Sequence, residues 1–353
     1  MHWYTIMEFS KPLIHWYLQN KRDLPWRKTT GAYPIWLSEI MLQQTRVAQG
    51  LPYFLRFIDA FPTVQDMAAA PEEQVLKLWQ GLGYYSRARN LHATAKIVAF
   101  EMNGNFPDSY AGLLKLKGVG DYTAAAIASI AYGEGVPVVD GNVYRVLSRV
   151  FGIDTDISSG GAKKQFTELA ASLMPKGQAS EFNQAMMEFG ALQCVPKSPD
   201  CTVCIFNAYC VAFTTGRVGE LPVKLKKTKV TNRYFNYIVV KDSRGYSMVQ
   251  KRTAKGIWHN LYEFPLLETE SLTSVEDAII SVKNFEGLGF VPKEVTLLTD
   301  VMIQKLSHQH LHIRFLEVAI NEEVTGAIPA DVLKEYPFPI VIHNFIENYW
   351  SKR

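Results

Sequence analysis

Apolar positions recur at three- and four-residue spacing through the first two hundred residues and then cease to. Ala124, Ile127, Ile130 and Ala131 share one face, and Val143, Val146, Leu147 and Val150 form a second stripe, so both segments predict helices with a core-facing side. From about residue 230 the texture changes. Tyr234–Val240, Tyr246–Val249 and Ile313–Val318 are aromatic and β-branched runs punctuated by glycine and proline, the pattern of strands. The expected architecture is a mainly helical region over 1–213, a connector over 214–233 and a mixed α+β domain over 234–353. No internal repeat or low-complexity segment interrupts it.

Three features stand out on these helices. In Leu114–Ala126 one helix ends, the chain turns on Gly118 and Gly120, and a second helix opens at once. Glycine permits positive φ and close approach of another backbone, and exposed amides at the new helix start suit a phosphate oxygen, with Lys115 and Lys117 nearby. This hairpin, near 112–131, has the form of a DNA-backbone clamp, although a plain helical hairpin has the same pattern. Twenty residues beyond Gly120, Asp140 precedes the second stripe as a natural N-cap. Earlier, Tyr33-Pro34 opens a helix containing Glu39, whose same-face neighbours are Trp36, Leu42 and Gln43, with no Lys or Arg at three or four spacing. A carboxylate so placed is a candidate for a raised pKa, or an ordinary surface glutamate.

The 353 residues suffice for two to three domains at about 150 each, and 48% hydrophobic with 20% charged residues excludes a mostly disordered chain. No apolar run approaches the roughly 20 residues of a membrane helix. Met1–Ser10 mixes His, Glu and aromatics, so neither a membrane span nor secretion is expected, and a cytoplasmic location is. Net charge is only +3, but Arg217, Lys224, Lys226, Lys227, Lys229 and Arg233 face a single acidic residue, Glu220, within the connector. Such a stretch either attracts phosphates or is a solvated connector held extended by self-repulsion.

All four cysteines, Cys194, Cys201, Cys204 and Cys210, fall in one seventeen-residue window. Without a secretory start the compartment is reducing, and dense cysteines there suit a metal better than disulfides. Zinc and an iron–sulfur cubane both accept four thiolates; a single CxxC, where zinc knuckles usually pair two, leans toward the cubane.

These features occur together and in order, and the chain resembles the adenine DNA glycosylase (MutY) family of the endonuclease III, helix-hairpin-helix superfamily. The match rests on Pro25-Trp26-Arg27, Trp36–Thr45, Gly81–Ala88, Gly118–Thr123, Val138–Asn142 and the cysteine intervals. It implies a helical glycosylase region with an iron–sulfur loop over 194–210, holding a [4Fe–4S] cluster on the four cysteines. It implies Glu39 as the general acid that protonates adenine and Asp140 as the carboxylate facing the sugar, assisted by Tyr122 and Asn142. Trp26, Arg27 and Gln184 would line the adenine pocket, Gln44 and Tyr84 would wedge the duplex, and Gly118 and Gly120 would hold its backbone. Paired carboxylates fit the chemistry: a poor leaving group needs a proton, and a developing sugar cation needs a negative charge. A base in a duplex must also leave the stack first. Tyr122 stands where bifunctional relatives carry a lysine, so the reaction should stop at the abasic site.

Gly256–Pro265 resembles the family's MutT-like domain. Hydrolysis of the Nudix type needs a clustered Arg-Glu and Glu-Glu set for magnesium, and no arginine lies between Arg252 and Arg314. Leu306-Ser307-His308 resembles the loop that detects 8-oxoguanine, with Leu in place of the usual Phe. The implied partner is duplex DNA carrying adenine opposite 8-oxoguanine or guanine, bound by a monomer. The rival readings are a glycosylase for thymine or uracil opposite guanine, and a non-enzymatic iron–sulfur DNA-binding or electron-carrier protein.

Overall fold

The structure, a computed structural model, describes residues 6–225, 229–290, 292 and 294–349. The chain divides into two compact units, Met1–Ala69 with Asn90–Lys226, and Ala70–Arg89 with Lys227–Arg353. Ala70–Arg89 lies in the helical part of the sequence yet groups with the strands. Glu72 and Glu73, in the first turn of helix Glu72–Leu78, accept hydrogen bonds from Asn260 Nδ2 (2.7 Å), Lys251 Nζ (3.0 Å) and the Tyr262 hydroxyl (2.9 Å). Of the expected connector, Lys226, Lys227 and Thr228 lie outside the described residues. Arg217 and Arg233 are engaged in ion pairs, Arg217 with Asp154 and Glu220, Arg233 with Glu268.

The first unit is helical. Val143, Val146, Leu147 and Val150 are fully buried, as the stripe on helix Gly141–Phe151 requires, and pack with Phe9, Leu13, Phe166, Phe182 and Phe189 from three other helices. Helix Ala179–Leu192 crosses helix Gly141–Phe151 closely enough that a Cβ on Gly190 would stand 2.6 Å from Asn142 Cβ and 3.1 Å from its Cα. Only glycine fits there, and the approach brings Asn142 against the second helix. The predicted hairpin forms between helices Tyr110–Leu113 and Asp121–Tyr132. Gly118 adopts φ +78° against Asn90, whereas Gly120 has φ −93° and open space beyond its Cα. Positive φ is therefore needed at the first glycine alone.

The second unit is a mixed sheet between helices. Its strands are β1 (Thr231–Lys241), β2 (Gln250–Lys251), β3 (Tyr262–Glu263), β4 (Leu266–Thr269), β5 (Val295–Leu297), β6 (Met302–Lys305) and β7 (Gln309–Ala319). β1 and β7 run parallel at the centre, β4 flanks β1, and β5 and β6 occupy successive stretches along β7, all antiparallel; β2 pairs β3 separately. Side chains of β1 and β7 alternate between two cores, as period-2 geometry demands. Ile238, Val240, Leu316 and Val318 meet Ala278 and Val282 of helix Val275–Lys283. On the opposite face Tyr237 stacks on Phe315 (5.5 Å between centroids), which stacks on Phe345 of helix Ile340–Tyr349 (3.8 Å). Tyr246–Val249 is not the expected strand. β7 pairs the whole of β1 on one side, β4 pairs only Tyr234–Tyr237 on the other, and of 246–249 only Ser247 forms a bridge, to Ile328. No helix among the described residues is long and apolar enough to cross a membrane.

Candidate active site

Seven of the side chains singled out in the sequence line one cavity of about 590 Å³ in the helical unit: Trp26, Arg27, Glu39, Tyr122, Asp140, Asn142 and Gln184. Helix Ala32–Leu42 buries Ile35–Met41 continuously and carries Glu39 inward, to 6% exposure. Glu39 Oε2 has no hydrogen-bond partner. Burial raises its pKa to about 7, aided by the nearby Asp140 charge and opposed by the Tyr122 hydroxyl and by Arg27. The surface reading of this glutamate is thereby excluded. Tyr122 is half-buried, its hydroxyl directed to Met187 Sδ (3.4 Å), and desolvation beside two carboxylates raises its pKa far above the ordinary value.

Asp140 is the N-cap of helix Gly141–Phe151, as predicted. Its Oδ1 accepts from the amides of Asn142 and Val143 (2.8 Å each), and its Oδ2 from Asn142 Nδ2 (2.8 Å). Arg145 Nη2 in turn donates to Asn142 Oδ1 (2.8 Å), so the Asp140–Asn142 pair is held from behind. Burial still raises the Asp140 pKa, with the three donors and Arg145 pulling it back. The N-cap alone therefore does not decide its charge. Three donors at Asp140 and an orphaned oxygen at Glu39 make two carboxylates with unlike tasks.

Trp26 and Arg27 sit on the turn Pro25–Arg27, Trp26 edge-on to Phe54 at 5.0 Å. Gln184 accepts from the Tyr17 hydroxyl (3.0 Å) and donates to Ser180 Oγ (3.1 Å), which orients its amide. Arg27 spends both terminal nitrogens on Glu188, at 2.8 Å each. Glu188, which also lines the cavity, is the residue that sequence reading misses. Its one signal is a carboxylate one helical turn beyond Gln184, in a helix otherwise buried along that side.

Gln44, Tyr84, Gly118 and Gly120 lie outside this cavity's lining. Gln44 and Tyr84 share a property: each is a non-glycine residue at positive φ (55° and 49°). Gln44 is exposed, Tyr84 is 43% exposed, and the Arg87 guanidinium lies over the Tyr84 ring at 5.4 Å. A left-handed backbone at a Gln or Tyr is strain of the kind stored at working positions. Leu306, Ser307 and His308 form the turn joining β6 to β7, closed by the Leu306 amide on Gln309 O (2.8 Å); Ser307 and His308 are exposed and touch each other (3.1 Å).

The four cysteines are free thiols that line one small cavity with Arg149 and Phe189. Arg149 Nη1 lies 3.5 Å from Cys194 Sγ, and the Phe206 amide donates to Cys204 Sγ at 3.4 Å. A four-sulfur set with N–H donors aimed at it fits a four-thiolate group. Among the described residues no three of His, Cys, Asp or Glu are arranged around a single metal ion.

Residues 37–172 match the model of the HhH-GPD superfamily base excision DNA repair proteins, and 236–348 the model of the NUDIX domain. The chain is 37% identical to the adenine DNA glycosylase of Buchnera aphidicola subsp. Schizaphis graminum over 76% of its length and 78% of that protein. With the adenine DNA glycosylase of Buchnera aphidicola subsp. Baizongia pistaciae it shares 32% identity over 90% of its length and 88% of that protein. The chain belongs to the adenine DNA glycosylase family. It is accordingly a base excision repair enzyme, with a helix-hairpin-helix catalytic unit and a NUDIX unit. A solved thermostable thymine-DNA glycosylase superposes with a TM-score of 0.54 at 29% identity, covering 97% of that protein but 60% of this chain.

Proposed function

We propose that this enzyme removes adenine paired with 8-oxoguanine, or with guanine, from duplex DNA. The carrying observation is the convergence of Glu39 and Asp140 on one cavity with Trp26, Arg27, Tyr122, Asn142 and Gln184. Adenine flips out of the stack into this cavity. Glu39, which burial keeps substantially protonated near neutrality, delivers its proton to a ring nitrogen as the bond from C1′ to the base breaks and the bonding pair leaves with adenine. Asp140, turned by Asn142 and the helix amides, faces the resulting sugar cation. Water then adds at C1′ and gives up a proton, to the Glu39 carboxylate or to solvent, leaving an abasic site. Tyr122 offers no amine, so no Schiff base forms and the strand stays intact.

Gln44 and Tyr84 occupy the base step, the turn at Gly118 and Gly120 holds phosphates, and the turn 306–308 reads the opposite base, Ser307 and His308 supplying polar contacts and Leu306 the apolar filler. The NUDIX unit is a reader: Arg314, which follows the long arginine-free stretch, donates to the backbone carbonyls of Thr273 and Ser274 instead of facing a metal site. Cys194, Cys201, Cys204 and Cys210 would hold a [4Fe–4S] cluster that braces the loop between them. Relatives named for adenine match up to 90% of the chain, whereas the thymine-DNA glycosylase covers 60%, which supports the adenine reading over the thymine one.

A single-turnover assay on duplexes with A opposite 8-oxoguanine, A opposite G, T opposite G and U opposite G tests the reading. Excision from the first two is expected. Excision confined to T or U would overturn it, and binding without excision would favour a non-enzymatic role.

A further inference from the structure

Glu188 has unusual surroundings for a carboxylate that the proposed reaction does not use. It is 1% exposed, and two arginines donate five hydrogen bonds to it. Its Oε1 takes the Arg22 amide and Nε (2.9 Å each) and Arg27 Nη1 (2.8 Å); its Oε2 takes Arg22 Nη2 and Arg27 Nη2. Arg27 Nη1 also reaches Arg22 O (3.2 Å), and the guanidinium lies over the Tyr17 ring at 5.5 Å. Tyr17 is the donor that orients Gln184. One carboxylate thus anchors a line running through Arg27 and Tyr17 to the pocket amide.

We propose that Glu188 is a positioning residue, which fixes the Arg27 guanidinium at the cavity wall and cancels its charge, and so sets the field acting on Glu39. This deepens the reading of Glu39 as the general acid and rests on it. Both terminal nitrogens of Arg27 are occupied, so the arginine cannot grip a base as a fork and its remaining influence is electrostatic. Arg27 favours ionised Glu39, and an unneutralised guanidinium in a desolvated cavity would do so more strongly. Glu188 is held ionised, its pKa lowered to about 2 by the two arginines against the cost of burial. Arg22 is partly open to water, so the charge left over is screened.

The other titratable groups lining the cavity are few. Tyr122 comes from the hairpin helix, Asp140 and Arg145 from the start of helix Gly141–Phe151, and Arg46 from the N-cap of helix Val47–Ala60. None of them contacts Glu188 within hydrogen-bond distance, so what changes at Glu39 when Glu188 or Arg27 is replaced is the net charge of the Arg27–Glu188 pair.

The test compares the full-length protein with Glu188→Gln, Arg27→Met and the double variant. The alkaline limb of single-turnover excision, where Glu39 loses its proton, is recorded together with a carbon-13 NMR titration of the Glu39 carboxyl in the free protein. Glu188→Gln should move both to lower pH by about one unit, giving roughly tenfold slower excision on the limb. Arg27→Met should move both upward, and the double variant should return near the wild type. Limbs that coincide in all four proteins, or shift the same way in both single variants, would overturn the proposal. If Glu188→Gln fails to fold, the upward shift in Arg27→Met and the return in the double variant decide. NMR shifts of opposite sign without any excision would keep the role of Glu188 and instead remove the assignment of Glu39 as the acid.

Discussion

On the proposed reading Glu39 and Asp140 act from a cavity inside the helical unit, whereas Ser307 and His308 stand in the open on the turn between β6 and β7. The difference follows from the tasks. Bond cleavage needs carboxylates whose proton affinities have been separated, which desolvation at Glu39 and hydrogen bonding at Asp140 do in opposite directions. Reading the edge of an opposite base needs donors and acceptors that remain hydrated until DNA replaces the water. The helical unit accordingly carries a buried oxygen without a partner, at Glu39 Oε2, and the NUDIX unit's turn carries none of that cost.

The contrast can be broken most decisively at the carboxylates. Glu39→Gln and Asp140→Asn should each slow single-turnover excision by about 10³-fold or more, on the order of 4 kcal/mol of transition-state stabilisation. Duplex affinity should stay within about tenfold. Excision near the wild-type rate in either variant would remove that residue from the chemistry.

Burial of Glu39 also has a cost in stability. Its folded pKa of about 7 exceeds the unfolded value of 4.5, so the native state binds more protons between those limits and stability falls as pH rises through that window. Glu39→Gln should escape the loss, gaining on the order of 3 kcal/mol relative to wild type between pH 4.5 and pH 8. Denaturant unfolding at the two pH values measures this; a pH-independent difference would show that Glu39 is not desolvated in solution.

Two glycines sharpen the comparison within the helical unit. Gly190→Ala should cost about 1–3 kcal/mol by overpacking against Asn142, and should lower excision with it. Gly120→Ala, at ordinary φ and with open space, should change stability by less than about 0.5 kcal/mol. Thermal unfolding of the two variants side by side is the measurement, and equal losses would contradict the close helix crossing.

The exposed turn should affect discrimination without affecting the fold. Ser307→Ala with His308→Ala should cost about 1–3 kcal/mol of preference for adenine opposite 8-oxoguanine over adenine opposite guanine, with stability nearly unchanged. An unaltered ratio of excision rates on the two duplexes would make 306–308 only a turn.

What the chain determined by itself lies within short reach along it. The stripe Val143–Val150, the capping Asp140, the turn at Gly118 and the cysteine intervals depend on neighbours within about ten positions, where helical period and turn chemistry act directly. Family resemblance extended this legibility to all seven cavity residues, because their motifs are local even though the cavity is not. Tertiary structure alone decided the rest. Glu188 meets Arg27 across 161 positions, and Asn260 meets Glu72 across 188, drawing Ala70–Arg89 into the second unit. Tyr246–Val249 has strand composition, yet its one bridge is Ser247 to Ile328, reached across 81 positions. The pKa of Glu39 likewise depends on which helices close over it, since desolvation is set by everything that surrounds a charge and not by its position in a helix.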